Sequence, residues 1–161
     1  MLGPVARRIE HVGSTSVQGL DAQPVIDVQI SVRDIADEGA YVPAIERIGI
    51  QFRSRDDERR YFRPAPPRPR DVHVHVWAEG SAWEGDHLLY RDYLRTHTDA
   101  RKRYAATKWE NPERWRDDRW AYTEAKTACI LDLLERAEEW AAETGWAPWQ
   151  AAQKLAGRAS P

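Results

Sequence analysis

The sequence predicts one α+β domain built on a mixed, largely antiparallel sheet, with a helical C-terminal half. The 161 residues suffice for one compact domain with a hydrophobic core. Segments with a two-residue period dominate the first half, and helical periodicity begins at residue 86. No repeat and no linker interrupts the chain. We therefore assign residues 1–145 to the domain and residues 146–161 to a C-terminal extension.

The predicted strands are recognised by alternating apolar and polar residues. They cover residues 8–12, 25–32, 50–54, 60–63 and 71–77. Because successive strand residues point to opposite faces, Asp27 and Gln29 share one face of the second strand. In the same way His73 and His75 share one face of the last strand. A charged hairpin tip at residues 55–58 joins the third and fourth strands.

The predicted helices are placed by apolar spacing and by their end signals. Asp34 is the predicted N-cap of a helix that Gly49 ends, and residues 17–20 are predicted to form a helical turn. Asp86 and Asp99 are the predicted caps of the next two helices. The longest predicted helix covers residues 119–143.

Composition limits the classes of function. The net charge of −2 offers no general attraction to a polyanion, so no nucleic-acid partner is expected. The mean hydropathy of −0.74 argues against a membrane partner. A single cysteine, Cys129, permits no internal disulfide, and we expect a cytoplasmic protein. The sequence leaves the oligomeric state open.

Specific motifs follow the first strand: H-V-G-S-T-S-V at residues 11–17, G-L at 19–20 and P-V-I-D-V at 24–28. In these motifs the chain resembles the GrpB family, which is placed with the nucleotidyltransferases of DNA polymerase beta-like fold. The resemblance extends over residues 9–140. Later segments agree with it in order and spacing: residues 72–77 with His73 and His75, residues 90–95, and the late helix with Tyr122 and Lys126. Only residues 1–7 precede the first strand, where the family has a helical segment, which is consistent with a truncated start.

The resemblance implies a sheet of nucleotidyltransferase type and an anion-binding turn. In that superfamily a Gly-Ser turn holds a phosphate, and two carboxylates on the next strand hold divalent metal. Gly13, Ser14 and Asp27 match this pattern. Gln29 replaces the second carboxylate, and an amide oxygen is a weaker ligand for Mg²⁺. The chain also has Gln18 and Gln23 where the family has Pro and Lys.

The candidate site combines these positions. The candidate catalytic residues are Asp27, His73, His75 and Lys126. The candidate ligand-binding residues are His11, Gly13, Ser14, Ser16, Gln29, Arg91, Arg95 and Tyr122. Asp27, His73 and His75 are also the candidate ligands of a divalent metal, which could be Mg, Mn or Zn. Two imidazoles with one carboxylate suit a transition metal better than Mg.

Each candidate also has a purely structural interpretation. The histidine pair is then part of the solvent face of the sheet, and His11 is a hydrogen-bond partner of the turn. Lys126 either extends its amine past an apolar stripe to solvent or points into a cleft. Arg91 and Arg95 either grip an anion or pair with nearby acids such as Asp92.

Three functions stay open. The leading one is a nucleotide-binding, nucleotidyltransferase-fold transferase that acts on an anionic small molecule with a degenerate metal site. The second is a metal-independent hydrolase, cyclase or transferase that uses His and Asp for acid–base chemistry. The third is a non-catalytic ligand-binding module, because the family includes fusions to kinase domains of the coenzyme A pathway. The residues alone do not decide whether the chain is an enzyme.

Overall fold

The computed structural model describes residues 2–109 and 119–148. Its elements are β1 (Ala6–Val12), β2 (Ile26–Val32), α1 (Glu38–Glu46), β3 (Ile50–Arg55), β4 (Arg59–Pro64), β5 (Val72–Ala78), α2 (Ala82–Thr96), α3 (Thr98–Trp109) and α4 (Arg119–Thr144). The predicted α+β class is confirmed. The chain divides into two compact units, Met1–His87 and Leu88–Pro161. The extension assigned to residues 146–161 stays a prediction, and residues 149–161 lie outside the described part.

The first unit contains a five-stranded sheet of order β1-β2-β5-β4-β3. Of the neighbouring strands in this sheet, β2 and β5 run parallel and the other pairs are antiparallel. The sheet is therefore mixed and largely antiparallel, as predicted. The parallel pair lies at the centre of the sheet. Its register places Asp27 beside His73 and Gln29 beside His75.

The two faces of this sheet differ in chemistry. The apolar face packs against Tyr41 and Ile45 of α1, which are almost fully buried. The core residues of the sheet are Ile30, Val32, Ile50, Phe62, Val74 and Val76. Burial of these side chains is the main stabilising force for the unit. The opposite face carries the candidate site residues of β2 and β5.

Several helix predictions are wrong in position. The first predicted helix ends at Glu46 rather than at Gly49. Residues 17–20 are not helical, because a short 3₁₀ turn, Ser14–Ser16, precedes them and Val17 is extended. Asp34 does not cap α1, since its carboxylate accepts the N–H of Ala36 in a local turn. Asp37 occupies the N-cap position instead.

The N-termini of α2 and α3 also lie earlier than predicted. Asp86 is inside α2, which begins at Ala82 after Ser81. The backbone N–H of Glu84 donates to Ser81 Oγ at 3.4 Å, so Ser-x-x-Glu forms the start of the helix. Asp99 lies in the first turn of α3 rather than before it.

The second unit is helical in its described part. Among the residues that the structure describes, the buried hydrophobic side chains of its helices are Leu88, Leu89, Tyr93, Leu94, Ala100, Tyr104, Cys129, Leu133 and Ala137. Asp132 of α4 pairs with Arg103 of α3 at 2.7 Å. The longest predicted helix corresponds to α4, which ends at Thr144. The next residue, Gly145, has a φ of +68°. Across residues 2–109 and 119–148, no helix combines the length and the apolar character needed to cross a bilayer.

Candidate functional site

Three polar side chains converge at the centre of the sheet in the first unit. The Nδ1 atom of His73 lies 3.1 Å from Asp27 Oδ1, and the Nε2 atom of His75 lies 3.9 Å from the same oxygen. One ligand atom of each residue lies within 4.8 Å of the other two. The side chains are 28%, 31% and 22% exposed for Asp27, His73 and His75, so solvent reaches the cluster. The parallel register of β2 and β5 is what brings them together.

The two imidazoles influence the charge of Asp27. Burial raises the pKa of this carboxyl, but the hydrogen bonding and positive charge of His75 and His73 outweigh it, so the pKa lies below its ordinary value. The Nδ1 atom of His73 is within hydrogen-bond distance of Asp27 Oδ1, whereas the Nε2 atom of His75 is 3.9 Å from that oxygen. Asp27 is therefore a carboxylate at neutral pH, and it can accept a hydrogen bond or bind a cation.

A glycine turn lies against the other oxygen of this carboxylate. Gly13 has a φ of +70°, and a Cβ atom placed on it would be 2.3 Å from Asp27 Oδ2. Within the turn, Ser16 is buried and its hydroxyl donates to the carbonyl of Gly13 at 2.5 Å. The chain can approach Asp27 this closely only because residue 13 has no side chain.

His11 is bonded to this same turn. Its Nε2 atom lies 2.9 Å from Thr15 Oγ1, and that hydroxyl donates to the carbonyl of Val25 at 2.9 Å. These bonds connect the end of β1, the turn and the start of β2. They match the structural interpretation of His11, while its predicted role in ligand binding stays a prediction.

Further along the polar face, the sheet is covered by the beginning of α2. Gln29 is 1% exposed, and its amide donates to the backbone carbonyl of Glu84 at 3.2 Å. The Glu84 carboxylate accepts hydrogen bonds from Ser31 and from the N–H of Gly80, and it pairs with Arg8 at 3.0 Å. Gln29 is therefore held below α2, and its role as a ligand residue stays a prediction.

Sequence reasoning missed two residues of this face, Tyr61 and Glu84. Tyr61 pairs with His75 across β4 and β5, and its ring lies 5.5 Å from that of His73 and 5.2 Å from that of His75. No local pattern marks Tyr61, because its position depends on strand pairing. The Ser-x-x-Glu spacing could have identified Glu84 as a residue at the start of a helix.

An aromatic group lies beside the polar cluster. Trp77 of β5 stacks on Trp83 at 5.9 Å, and the His87 ring lies 5.5 Å from that of Trp77. Burial lowers the pKa of His87, although its hydrogen bond to the Trp83 carbonyl raises it in part. His87 is therefore neutral in the folded protein at neutral pH, with Nδ1 donating to that carbonyl at 2.7 Å.

We expect acid to destabilise the protein through His87. The unfolded chain binds the His87 proton more readily than the folded one, so the free energy of unfolding falls as pH drops below the ordinary pKa of 6.5. Urea unfolding at several pH values measures this slope for the full chain and for His87→Gln, which can still donate to the Trp83 carbonyl. The variant is expected to have the shallower slope. Equal slopes would contradict the assignment of a neutral His87 in the folded protein.

The remaining predicted site residues belong to the second unit. Arg91 is buried and pairs with Asp92 at 2.8 Å, and Arg95 lies 3.4 Å from the same carboxylate. This is the pairing that the structural interpretation expects. Lys126 is half-buried on α4, and the Tyr122 side chain is outside the described part. Roles for these four residues in a ligand site stay predictions.

Comparison with known proteins decides the family. The model of the family described as "GrpB protein" matches residues 1–136 of this chain. The chain belongs to the GrpB family. A crystal structure of the conserved protein GrpB from Enterococcus faecalis has a TM-score of 0.72 and 30% sequence identity, with 86% of each chain covered. The fold prediction and the family resemblance are both confirmed.

Relatives in the family agree with this assignment. A UPF0157 protein of Halalkalibacterium halodurans is 36% identical over 85% of this chain and 70% of its own length. A UPF0157 protein of Streptomyces coelicolor is 40% identical, with 80% and 68% covered. A protein named dephospho-CoA kinase from Mycolicibacterium paratuberculosis is 32% identical over 91% of this chain, but only 42% of the relative is covered. GrpB sequence thus also occurs as part of longer proteins.

Proposed function

We propose that this GrpB protein binds an anionic, nucleotide-like small molecule at Asp27, His73 and His75, beside the turn at residues 13–16. Phosphoryl or nucleotidyl transfer is the reaction class that such a site serves. The observation that carries the proposal is the convergence of one carboxylate and two imidazoles on the sheet face that the glycine turn touches. These groups lie on two strands and a turn, so their meeting depends on the fold.

The chemistry of the cluster supports an anion that carries its own hydrogen-bond acceptors. The two imidazoles supply N–H donors, and Asp27 supplies a carboxylate that repels an anion unless a cation or a proton lies between them. Phosphate oxygens accept hydrogen bonds and bind cations, which makes a phosphorylated ligand suited to this combination. The nucleotide part of the proposal draws on the nucleotidyltransferase-like superfamily that the family resembles and on the relatives named dephospho-CoA kinase.

A second candidate function is acid–base catalysis without metal. The 3.1 Å contact between His73 Nδ1 and Asp27 Oδ1 supports it, because a carboxylate that orients an imidazole is the usual arrangement of a general base. A hydrolase, cyclase or transferase of this kind would keep its activity after treatment with a chelator. Under the leading proposal, metal removal lowers ligand binding or turnover. Chelator sensitivity therefore separates the two.

The proposal predicts that phosphorylated nucleotides stabilise the protein. ATP, ADP and dephospho-CoA are added to the full chain with Mg²⁺, Mn²⁺ or Zn²⁺, and the unfolding temperature is measured. A ligand at about 100 times its Kd stabilises the native state by about 2.7 kcal/mol. In a chain of this size we expect a rise of roughly 5–10 °C. Adenosine, which lacks the phosphate, is expected to give no comparable rise.

Two variants complete this test. His73→Gln removes one imidazole of the cluster and is expected to abolish the rise. His97→Gln changes a histidine of the second unit and is expected to retain it. No rise with any phosphorylated ligand, or an equal rise in both variants, would contradict the proposed site. If ligand turnover is found, Asp27→Ala is expected to abolish it while the variant remains folded.

A further inference from the structure

One cluster on the polar face has the composition of a metal site. Within residues 2–109 and 119–148, Asp27, His73 and His75 form the one group of three acidic, His or Cys side chains whose ligand atoms lie this close together. We infer that these three residues hold a single divalent transition-metal ion of the zinc class. The ion itself is inferred from the geometry of the three side chains. The anion that the ion would attract is taken from the proposed function.

The donor atoms select the class of metal. Mg²⁺ prefers oxygen ligands in an octahedral arrangement, and this cluster offers two nitrogens and one carboxylate. Imidazole nitrogen together with carboxylate oxygen suits Zn²⁺ and neighbouring transition metals. A three-residue set also leaves a coordination position open for water or for a ligand oxygen. The site is thus expected to discriminate against Mg²⁺.

The distances fit a tetrahedral ion after a small adjustment. Ligand atoms about 2.0–2.1 Å from a tetrahedral zinc ion are roughly 3.3–3.5 Å from one another. The distances from Asp27 Oδ1 are 3.1 Å to His73 Nδ1 and 3.9 Å to His75 Nε2. Rotation of partly exposed side chains is sufficient to equalise such distances. The backbone need not move, because the register of β2 and β5 already places the residues side by side.

Neighbouring groups hold the three side chains in place. The Tyr61 ring contacts both imidazole rings from β4, and Gly13 lies against the second carboxylate oxygen of Asp27. Contacts of this kind orient metal ligands and reduce the entropy lost when the ion binds. They also leave Asp27 Oδ1 facing the two imidazoles.

Two further polar side chains of the same face, Gln29 and Glu84, are engaged in other contacts. The Gln29 amide donates to the carbonyl of Glu84, and the Glu84 carboxylate is occupied by Arg8, Ser31 and the N–H of Gly80. Neither side chain offers a carboxylate to a second cation. The inference is for one ion at the cluster of Asp27, His73 and His75.

Calorimetric titration of the metal-depleted full chain with ZnCl₂, MnCl₂ and MgCl₂, without nucleotide, tests the inference. We expect one Zn²⁺ to bind and Mg²⁺ to bind at least 100-fold more weakly. His75→Gln and Asp27→Asn are expected to weaken Zn²⁺ binding by more than the roughly 10–100-fold that follows loss of an outer-shell partner. Tyr61→Leu is expected to weaken it within that range. His97→Gln, in the second unit, is the control and is expected to bind Zn²⁺ normally.

The visible spectrum of Co²⁺ added in place of Zn²⁺ gives a second readout, because its intensity reports low coordination number at nitrogen and oxygen ligands. Zn²⁺ binding that persists in the Asp27 and His75 variants would overturn the inference. So would nucleotide binding that is supported by Mg²⁺ and unaffected by Zn²⁺, although the proposed anion site would then survive. One-to-one Zn²⁺ binding without any nucleotide binding would support the metal site and contradict the proposed nucleotide-like ligand.

Discussion

Replacement of Gly13 by alanine is expected to lower the free energy of unfolding by roughly 2–4 kcal/mol and to impair binding at Asp27. The φ of +70° with extended ψ is a backbone conformation that residues with a side chain avoid. In addition, the new Cβ would lie 2.3 Å from Asp27 Oδ2, so the carboxylate or the turn must move. Urea unfolding measures the stability, and Zn²⁺ titration measures the site.

Gly19 offers a matched control for this substitution. Its φ is +78°, but a Cβ atom there meets nothing within 4 Å. Gly19→Ala therefore carries the backbone strain without the contact, and we expect a loss of about 1–2 kcal/mol with normal Zn²⁺ binding. If the two variants behave alike in both measurements, the contact between Gly13 and Asp27 has no role in the site.

The sheet could be predicted because its strands are short and strongly patterned. In β2 and β5, alternation between apolar and polar residues correctly assigned Ile30 and Val74 to the core and Asp27 to the other face. This succeeded because strand side chains alternate strictly between faces. The choice of β5 as the parallel neighbour of β2 could not be derived from alternation, which contains no information on pairing.

The helix starts were harder to predict, because an Asp before an apolar run has more than one local use. Asp34 accepts the N–H of Ala36 in a turn, and α1 begins four residues later. Asp86 is an interior residue of α2, whose start is formed by Ser81 and Glu84. The error at Asp34 arises because a short carboxylate satisfies a nearby backbone donor whether or not a helix follows. The error at Asp86 arises because Ser81, five residues earlier, already provides the cap.

The candidate site was predictable to a similar extent. Asp27, His73 and His75 could be proposed from residue type and face, and the structure brings them together. Tyr61 could not be proposed, since its contact with the imidazoles depends on the pairing of β4 with β5. Gln29 was expected on an open polar face, but α2 covers it. Long-range packing thus decides which part of the polar face remains accessible.

Glu84 is central to that division of the polar face. Its carboxylate joins Arg8 of β1, Ser31 of β2 and the N–H of Gly80, and its backbone carbonyl accepts the Gln29 amide. Only 4% of Glu84 is exposed. Covered in this way, Gln29 and Ser31 are removed from solvent, whereas Asp27 and the two histidines stay accessible. The contacts of Glu84 therefore define one edge of the candidate site.

Substitution of Glu84 by alanine is expected to lower the free energy of unfolding by roughly 3–5 kcal/mol. The loss is large because the buried Ser31 hydroxyl and the partly buried Arg8 guanidinium would lose the acceptor that satisfies them, as would the N–H of Gly80. Urea unfolding of the full chain measures it. Glu84→Gln retains the shape and some of the hydrogen bonds but removes the charge that Arg8 faces, so an intermediate loss is expected.

Glu79 supplies the comparison that separates burial from charge. It pairs with Arg7 at 3.2 Å, one residue before Arg8, but both side chains are 41% exposed. Because solvent screens such a pair, Glu79→Ala is expected to change stability by at most about 1 kcal/mol. Arg8→Met in the Glu84→Gln background should then recover part of the lost stability, since it removes the partly buried charge that Glu84 no longer neutralises. If Glu84→Ala were no more destabilising than Glu79→Ala, the contacts of Glu84 could not be what holds α2 over Gln29 and Ser31.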